Sequence, residues 1–320
     1  MNRNLELRRM RTAREHPPVT NAKQLMRLWG LLTLLPVLVG AQNIKEDLAP
    51  LRFEHVRLNV ADAAATARWY VTNADLELLP GAPAGLVYVA DKDHNFMIEF
   101  SEVPGLRTNY ADIPVDGFHL AFEGHKTIEA VAERMLAHGA RPEGEIYRNK
   151  IGDYVLNVRD PNGLTFQLLH RVNPFYSKPV KSTLRFEHFA FNTPDQKRTA
   201  LWYVEFMGLT IPWSKDIEVT NSYFRNYRVP YVGDHGRNMS LELFGKTDVQ
   251  MSFAQVNHEV CHLGFTTGDP EKWAKQMVYG GARQVGPPRA QANGDVVVDL
   301  FDPSNFPVRL IKRSQPILKP

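Results

Sequence analysis

The sequence predicts an α+β protein built from four modules, each containing a strand, a helix and then three strands. The first observation behind this prediction is an internal repeat. The segment LRFEHVRLNVADAAATARWYV, which starts at Leu51, returns as LRFEHFAFNTPDQKRTALWYV, which starts at Leu184. A repeat of this length indicates a domain used twice. The second observation is that a strand-like run, a helical segment and further strand-like runs occur twice within each half.

The first module begins with FEHVRLNV, in which apolar and polar residues alternate as in a half-buried strand. Residues 61–75 are rich in helix formers, and Asp62 is a good residue to begin a helix. Strand-like runs follow around residues 85–90 and 95–100. The predicted first strands and helices of the other three modules are 117–122 with 128–138, 186–192 with 196–207, and 259–266 with 270–279.

Two tight turns, DPNG at residues 160–163 and DPSN at residues 302–305, precede the last strands of modules two and four. Aspartate at the first position of such a turn commonly accepts hydrogen bonds from the backbone that follows. We therefore expect Asp160 and Asp302 to form turns and not to act as catalysts.

Composition indicates a soluble globular protein of two domains, because 43% of the 320 residues are hydrophobic and 23% are charged. The net charge of +3 arises in residues 1–41, since the remainder has 31 basic and 33 acidic residues. A nucleic-acid partner is not expected, because it would require a basic face on the folded domain. The single cysteine, Cys261, excludes an intrachain disulfide and is expected to be an inert core thiol.

Residues 1–41 resemble a secretory signal peptide. An apolar run over residues 28–40 follows Arg27, and Val39 and Ala41 occupy the small-residue positions of a cleavage site. The run is too short to span a bilayer comfortably, and Pro36 argues against a buried helix. The prediction is a periplasmic or secreted protein. The true start could instead be Met10 or Met26, and membrane contact is expected only if the leader is an uncleaved anchor.

The order of the elements, with a histidine on the first strand of every module, resembles the vicinal oxygen chelate superfamily. Its members include glyoxalase I, bleomycin and fosfomycin resistance proteins and extradiol dioxygenases. The resemblance covers residues 51–315. It implies two tandem glyoxalase-like domains, over 51–173 and 182–315, each made of two βαβββ modules that form a half-open barrel around a divalent metal. A small-molecule substrate or ligand is the partner that it implies.

Strand alternation places four polar side chains of the first domain on the interior face. They are His55, Glu99, His119 and Gln167. The resemblance implies that these four residues bind one metal ion, which could be Fe, Zn, Ni or Mn, with one ligand from the first and last strand of each module. Gln167 departs from the family pattern because an amide replaces a carboxylate. A single inward histidine is more often a hydrogen-bonded core residue, but four at equivalent positions favour a metal.

Two residues of the first domain are expected to take part in catalysis. Glu99 would be a metal ligand and a possible proton acceptor. Arg57 shares the interior face with His55 and would contact an anionic group of the substrate, although an ion pair with Glu99 is an equal alternative.

The same register gives His188, Glu242, His262 and Arg309 in the second domain. Arg309 cannot bind a metal, because a guanidinium has no lone pair to donate and is not deprotonated in proteins. Either Arg309 pairs with Glu242 in a metal-free structural domain, or it clamps an anionic substrate group beside a metal held by the other three residues. We favour the first alternative.

The predicted function is that of an exported metalloprotein, a glyoxalase-type lyase or isomerase that acts on a small oxygen-chelating substrate. A ring-cleaving dioxygenase would be expected to have a carboxylate at position 309, so Arg309 argues against it. A protein that binds a small molecule without turning it over, as bleomycin resistance proteins do, is the alternative from another class.

Overall fold

All four predicted modules are present in the computed structural model, which describes residues 48–106, 110–124, 128–149, 152–172, 174, 183–211, 230–234, 239–245 and 261–318. The first strands and helices are β1 (Arg52–Val60) with α1 (Ala63–Ala74), β5 (Phe118–Gly124) with α2 (Glu129–Ala137), β10 (Leu184–Asn192) with α3 (Gln196–Met207), and β13 (Cys261–Thr266) with α4 (Pro270–Tyr279). The leader predicted at residues 1–41 lies outside the described residues. Within them, no helix combines the length and apolar character needed to span a bilayer.

The remaining strands follow each helix. They are β2 (Glu77–Leu79), β3 (Leu86–Ala90) and β4 (Met97–Glu102) in module one, β6 (Arg141–Pro142), β7 (Tyr147–Arg148), β8 (Tyr154–Arg159) and β9 (Thr165–His170) in module two, β11 (Tyr231–Gly233) and β12 (Ser240–Phe244) in module three, and β14 (Arg283–Gln284), β15 (Arg289–Ala290), β16 (Val296–Phe301) and β17 (Pro307–Lys312) in module four. Modules two and four therefore have four strands after the helix instead of three, because two short strands pair with the same long neighbour.

Three helices begin at an aspartate in the same way. The side chain of Asp62 accepts a hydrogen bond from the Ala65 amide at 2.7 Å, and Asp195 and Asp269 cap α3 and α4 with bonds of 3.0 Å. Each carboxylate satisfies a backbone donor that the first helical turn leaves unpaired. The helix start predicted at Asp62 is confirmed.

The strands form two sheets, and each sheet combines one module from each half of the chain. One has the order β14-β16-β17-β13-β1-β4-β3-β2, and the other has the order β11-β12-β10-β5-β9-β8-β6. The central contacts are antiparallel pairs between first strands, β1 with β13 and β5 with β10. Module one is thus joined to module four, and module two to module three. The predicted boundary between residues 173 and 182 does not separate the two sheets.

The apolar faces of both sheets and the helices enclose one hydrophobic core. Phe96, which precedes β4, and Phe186 of β10 pack across it with ring centroids 5.3 Å apart. Two tryptophans at the same position of the repeated segment connect neighbouring helices. Trp69 donates to the His138 carbonyl and Trp202 to the Gly280 carbonyl, both at 2.8 Å. Cys261 is buried in this core, and burial raises the pKa of its thiol to about 12.

Both turn aspartates accept hydrogen bonds from their own turns, as predicted. Asp160 accepts from the Leu164 amide and Asp302 from the Phe306 amide, each at 2.8 Å. Each also accepts from a buried tyrosine hydroxyl of another module, Tyr70 at 3.1 Å or Tyr203 at 2.9 Å. These contacts fix each turn against a helix of a neighbouring module.

A β-bulge interrupts each central strand pair at the residue before the histidine. Phe53 lies opposite Phe265 and His55 lies opposite Gly264, so Glu54 has no partner of its own. Glu187 occupies the same place in the other sheet, between Phe186 and His188. Because a bulge places two residues opposite one, each glutamate can lie beside the histidine that follows it.

Candidate metal centres

The structure divides the four predicted ligands of the first domain between the two sheets. His55 and Glu99 lie in the first sheet with His262, whereas His119 lies in the second sheet with His188 and Glu242. The expectation that His55, Glu99, His119 and Gln167 share one centre is therefore corrected. Its cause is the pairing of first strands, which joins modules one and four and modules two and three. Metal binding by these residues is still a prediction.

Two candidate centres result, and each is named by its modules. The 2–3 site consists of His119, Gln167, His188 and Glu242. The 1–4 site consists of His55, Glu99, His262 and Arg309. In both sites two histidines and a glutamate place their ligand atoms within 4.8 Å of one another, and all six residues are buried.

The 2–3 site brings three donor atoms to a common point. The Nε2 atoms of His119 and His188 are 3.2 Å apart. One carboxylate oxygen of Glu242, Oε2, lies 2.9 Å from His188 Nε2 and 3.5 Å from His119 Nε2. Imidazole nitrogens with a carboxylate oxygen form a donor set that suits zinc, nickel, iron or manganese.

The outer nitrogens of both histidines are already engaged. His119 Nδ1 lies 2.6 Å from the Val115 carbonyl, and His188 Nδ1 contacts the Glu187 carboxylate. A carbonyl can only accept, so Nδ1 of His119 must carry the proton, which leaves a lone pair on Nε2 of the neutral ring. Partners of this kind are typical of metal-ligating histidines, whose tautomer and ring orientation they fix. The donor set of the 2–3 site therefore fits a divalent cation.

Gln167 and Tyr231 complete the 2–3 site. Gln167 lies opposite Ala121 in the neighbouring strand and donates from Nε2 to Asn157 Oδ1 at 3.0 Å. Its carbonyl oxygen is the atom with which an amide can bind a metal. The Tyr231 hydroxyl donates to Oε1 of Glu242, the carboxylate oxygen that does not contact the histidines. The second oxygen of this carboxylate is thereby held.

Behind His188 lies a buried chain of charged groups. Arg171 donates to both carboxylate oxygens of Glu187, at 2.9 and 3.0 Å, and to Asp153 at 2.8 Å. Burial would lower the pKa of His188, but Glu187 and Glu242 outweigh it and raise the pKa to about 9. Burial would raise the pKa of Glu187, but Arg171 and His188 lower it to about 2. The glutamate is therefore ionised at neutral pH.

The 1–4 site repeats the histidine pair. The Nε2 atoms of His55 and His262 are 3.0 Å apart, and His55 Nδ1 lies 2.9 Å from Oε2 of Glu54. Gly264 faces His55 across the bulged pair, and a Cβ atom there would lie 2.2 Å from His55 Cε1. The missing side chain is what leaves room for the imidazole.

Arginines pair with the carboxylate of the 1–4 site and with a second carboxylate beside it. Arg57 donates from Nε to Oε1 of Glu99, which confirms the ion-pair alternative for Arg57. Arg309 donates to Asp299 at 2.6 and 3.1 Å. The predicted pair of Arg309 with Glu242 is wrong, because Glu242 lies in the other sheet while Asp299 lies directly opposite Arg309.

Two positions therefore distinguish the sites. Glu99 lies opposite Arg57, but the matching Glu242 lies opposite Ala190. In the 1–4 site Arg309 lies beside Gly264, whereas at the matching position of the 2–3 site Gln167 lies beside Ala121. The 1–4 site thus has two additional cations and only one additional carboxylate, Asp299, so it lacks the net negative charge that would attract a metal ion in a buried environment. Of the two, the 2–3 site has the electrostatics that a dication requires.

The charged chain behind the histidine is also present in duplicate. Arg313 donates to both oxygens of Glu54, at 2.9 and 3.1 Å from Nε, and to Asp295 at 2.7 Å. Each arginine follows its aspartate by 18 residues, Asp153 to Arg171 and Asp295 to Arg313. These residues were not predicted from the sequence. In both halves a Gly-Asp pair is followed by an arginine at the same spacing, and this repetition could have identified them.

A family model described as the glyoxalase/bleomycin resistance protein/dioxygenase superfamily matches residues 52–168 and 185–310. The chain belongs to this superfamily. A search of the curated proteins finds no match.

Solved structures resemble nearly the whole fold. Glyoxalase I from Zea mays is 18% identical, has a TM-score of 0.60, and is covered over 92% of its length by 82% of this chain. A V278E mutant of the maize protein is 17% identical, has a TM-score of 0.64, and is covered over 96% of its length by 86% of this chain. A candidate dioxygenase from Bacillus subtilis is 14% identical, has a TM-score of 0.58, and is covered over 86% of its length by 83% of this chain. At these identities the similarity shows the fold alone, which confirms two tandem glyoxalase-like domains.

Proposed function

We propose that this protein is a metal-dependent lyase or isomerase of the glyoxalase type, with its chemistry in the 2–3 site. One observation carries the proposal. His119, His188 and Glu242 direct three donor atoms to one point, and no arginine of the described residues pairs with Glu242 as Arg57 pairs with Glu99. The metal would be zinc, nickel, iron or manganese. Export to the periplasm or the exterior, predicted from residues 1–41, is part of the same proposal.

Each residue of the 2–3 site has a distinct part in this proposal. The two imidazoles, the Glu242 carboxylate and the Gln167 carbonyl oxygen would hold the cation. The cation would supply Lewis acidity toward two neighbouring oxygens of a small substrate. Ala121, Val155 and Leu169 form a buried apolar cluster, of which Ala121 lies beside Gln167. Such a surface excludes water and strengthens every charge interaction near it.

The proton-accepting role expected of Glu99 passes in this proposal to Glu242. Burial would raise the pKa of Glu242, but His188 and His119 lower it well below its usual range, so the carboxylate is ionised. An ionised carboxylate beside the bound substrate can take up the proton that leaves a carbon next to a carbonyl. Tyr231 would hold Oε1 in place while Oε2 acts.

A second reaction type is favoured by the same donor set. Two histidines and one carboxylate with open positions are the ligands of non-haem iron oxygenases. In the 2–3 site an amide, and not the cation Arg309, accompanies this set, so the earlier argument against a ring-cleaving dioxygenase does not apply there. Catechols are therefore the second class of substrate to examine.

The test is a turnover assay of the full chain loaded separately with Zn²⁺, Ni²⁺, Mn²⁺ and, without oxygen during loading, Fe²⁺. Substrates are 2-oxoaldehydes with a thiol, and catechols. We expect turnover of the 2-oxoaldehyde adduct that disappears in His188→Ala and is kept in the matched variant His262→Ala. Turnover that is lost in His262→Ala and kept in His188→Ala would move the chemistry to the 1–4 site. Absence of turnover with every metal, together with tight metal-free binding of a small molecule, would make this a binding protein.

A further inference from the structure

The repeated segment LRFEH places an arginine at the same position in both sheets, but its partner differs. Arg185 lies opposite Glu123 across the β10–β5 pair and donates to its carboxylate at 3.2 Å. Arg52 lies opposite Thr266 across the equivalent β1–β13 pair. The first sheet therefore has a threonine where the second has the carboxylate that neutralises this arginine.

Arg52 is left without a replacement partner. No ion pair between described residues includes the Arg52 guanidinium, whereas Arg185 pairs with Glu123. A charged group that is partly buried without an opposite charge is costly. A guanidinium that has no carboxylate where its counterpart has one points to an acceptor outside the described protein atoms.

A cavity of about 160 Å³ adjoins this guanidinium. Its polar lining comes from Arg52, Arg313, Glu54 and Thr266. Glu54 is already occupied, because it accepts hydrogen bonds from Arg313 and contacts His55. The lining therefore has one carboxylate, which is engaged, and two guanidinium groups, of which Arg313 is also engaged while Arg52 has no ion pair among the described residues.

The charge balance of the two sheets points the same way. Around the equivalent position in the second sheet, Arg171 and Arg185 are accompanied by three carboxylates, those of Asp153, Glu187 and Glu123. In the first sheet Arg313 and Arg52 are accompanied by two, those of Asp295 and Glu54. The first set is thus balanced overall, and the carboxylate that it lacks is the one that Glu123 places beside Arg185, at the position where Thr266 stands.

The other walls of the cavity are apolar. Its remaining lining residues are Phe53 and, from the segment after β17, Pro316, Ile317 and Leu318. Ile317 and Leu318 also pack against Tyr88 and Met97, which fixes this segment to the sheet. An occupant would therefore combine a carboxylate with a short hydrocarbon part, as an inorganic oxyanion does not.

We propose that this cavity binds a small aliphatic carboxylate, whose carboxylate group takes the place that Glu123 has in the other sheet. Two charge-assisted hydrogen bonds from Arg52 and a contact with the Thr266 hydroxyl would hold it. The site is separate from the 2–3 site, and it neither requires a metal nor depends on the proposed reaction.

Calorimetric titration of the full chain with sodium propionate tests this proposal, with inorganic phosphate as the comparison. We expect propionate to bind at one site per chain, and binding to weaken at least about tenfold, or about 1.4 kcal/mol, in Arg52→Gln. Thr266→Glu should abolish binding and raise the melting temperature, because it supplies the missing carboxylate. Thr266→Gln, which fills the space without the charge, should abolish binding without that rise.

A reciprocal variant keeps the test independent of the folding of any one protein. Glu123→Thr should create a second carboxylate site, seen as a larger rise of melting temperature with propionate than the wild type shows. Absence of propionate binding to the wild type would overturn the proposal, as would unchanged binding in Thr266→Glu. Tighter binding of phosphate than of propionate would overturn the assigned class of ligand.

Discussion

Replacement of Arg171 by methionine is expected to lower the free energy of unfolding by about 3–5 kcal/mol. The Arg171 side chain is only 4% exposed and pairs with Glu187 and Asp153, whose side chains are 0% and 2% exposed. Without the guanidinium, the buried Asp153 loses its cationic partner and the buried Glu187 keeps only His188 as an opposite charge. Arg171 also connects modules two and three, because its partner Glu187 belongs to β10 while Arg171 follows β9.

Equilibrium unfolding in urea measures this loss, provided that the denaturant slope is unchanged. Arg148→Met is a suitable control, because Arg148 is an exposed arginine whose only described contact is 4.7 Å above the Tyr154 ring. That contact contributes about 0.5–1 kcal/mol. Equal, small losses in both variants would show that the buried chain of charges does not stabilise the fold.

The affinity of the 2–3 site for a divalent metal is expected to rise about tenfold per pH unit between about pH 7 and pH 9, and then to level off. A metal binds only the neutral imidazole, and the raised pKa of His188, about 9, means that binding must displace a proton below that pH. The stability of the metal-free protein depends on pH in the opposite direction. The protonated His188 stabilises the metal-free protein most below its ordinary pKa of 6.5, and this contribution is lost as the pH rises through about 9.

Competition with a chelator of known affinity, in a His262→Ala background, measures this slope. Glu187→Gln removes one of the carboxylates that raise the pKa of His188, so the affinity should level off at a lower pH. Glu54→Gln makes the same change in the other sheet and should leave the profile of the 2–3 site unaltered. An affinity that is constant from pH 7 to pH 9 would contradict the interpretation that His188 is protonated in the metal-free protein and loses its proton when the metal binds.

The sequence was sufficient to predict the modules and the inward face of each ligand strand. Alternation placed His55 and Glu99 on one face, and the structure pairs β1 with β4 so that both point to the same side. It was not sufficient to predict which modules pair. Every module presents the same kind of first strand, so β1 has in β5 and β13 two partners that local pattern cannot distinguish.

The bulges and the chains of buried charged residues could not be predicted from sequence patterns for a related reason. The apolar alternation of FEHVRLNV continues after the bulge, so nothing in it shows that Glu54 lies beside His55. The arginines reach their glutamates from distant strands, as Arg313 reaches Glu54 across 259 residues. Only the matched 18-residue spacing in the two halves carries this information.

The metal content of four single-histidine variants tests the central claim most directly. After loading with Zn²⁺ and removal of loosely bound metal, His119→Ala and His188→Ala are expected to lose the bound ion together. His55→Ala and His262→Ala should each keep about one ion per chain. A loss shared by His55→Ala and His119→Ala, with His188→Ala unaffected, would contradict the pairing of modules two and three that the account depends on.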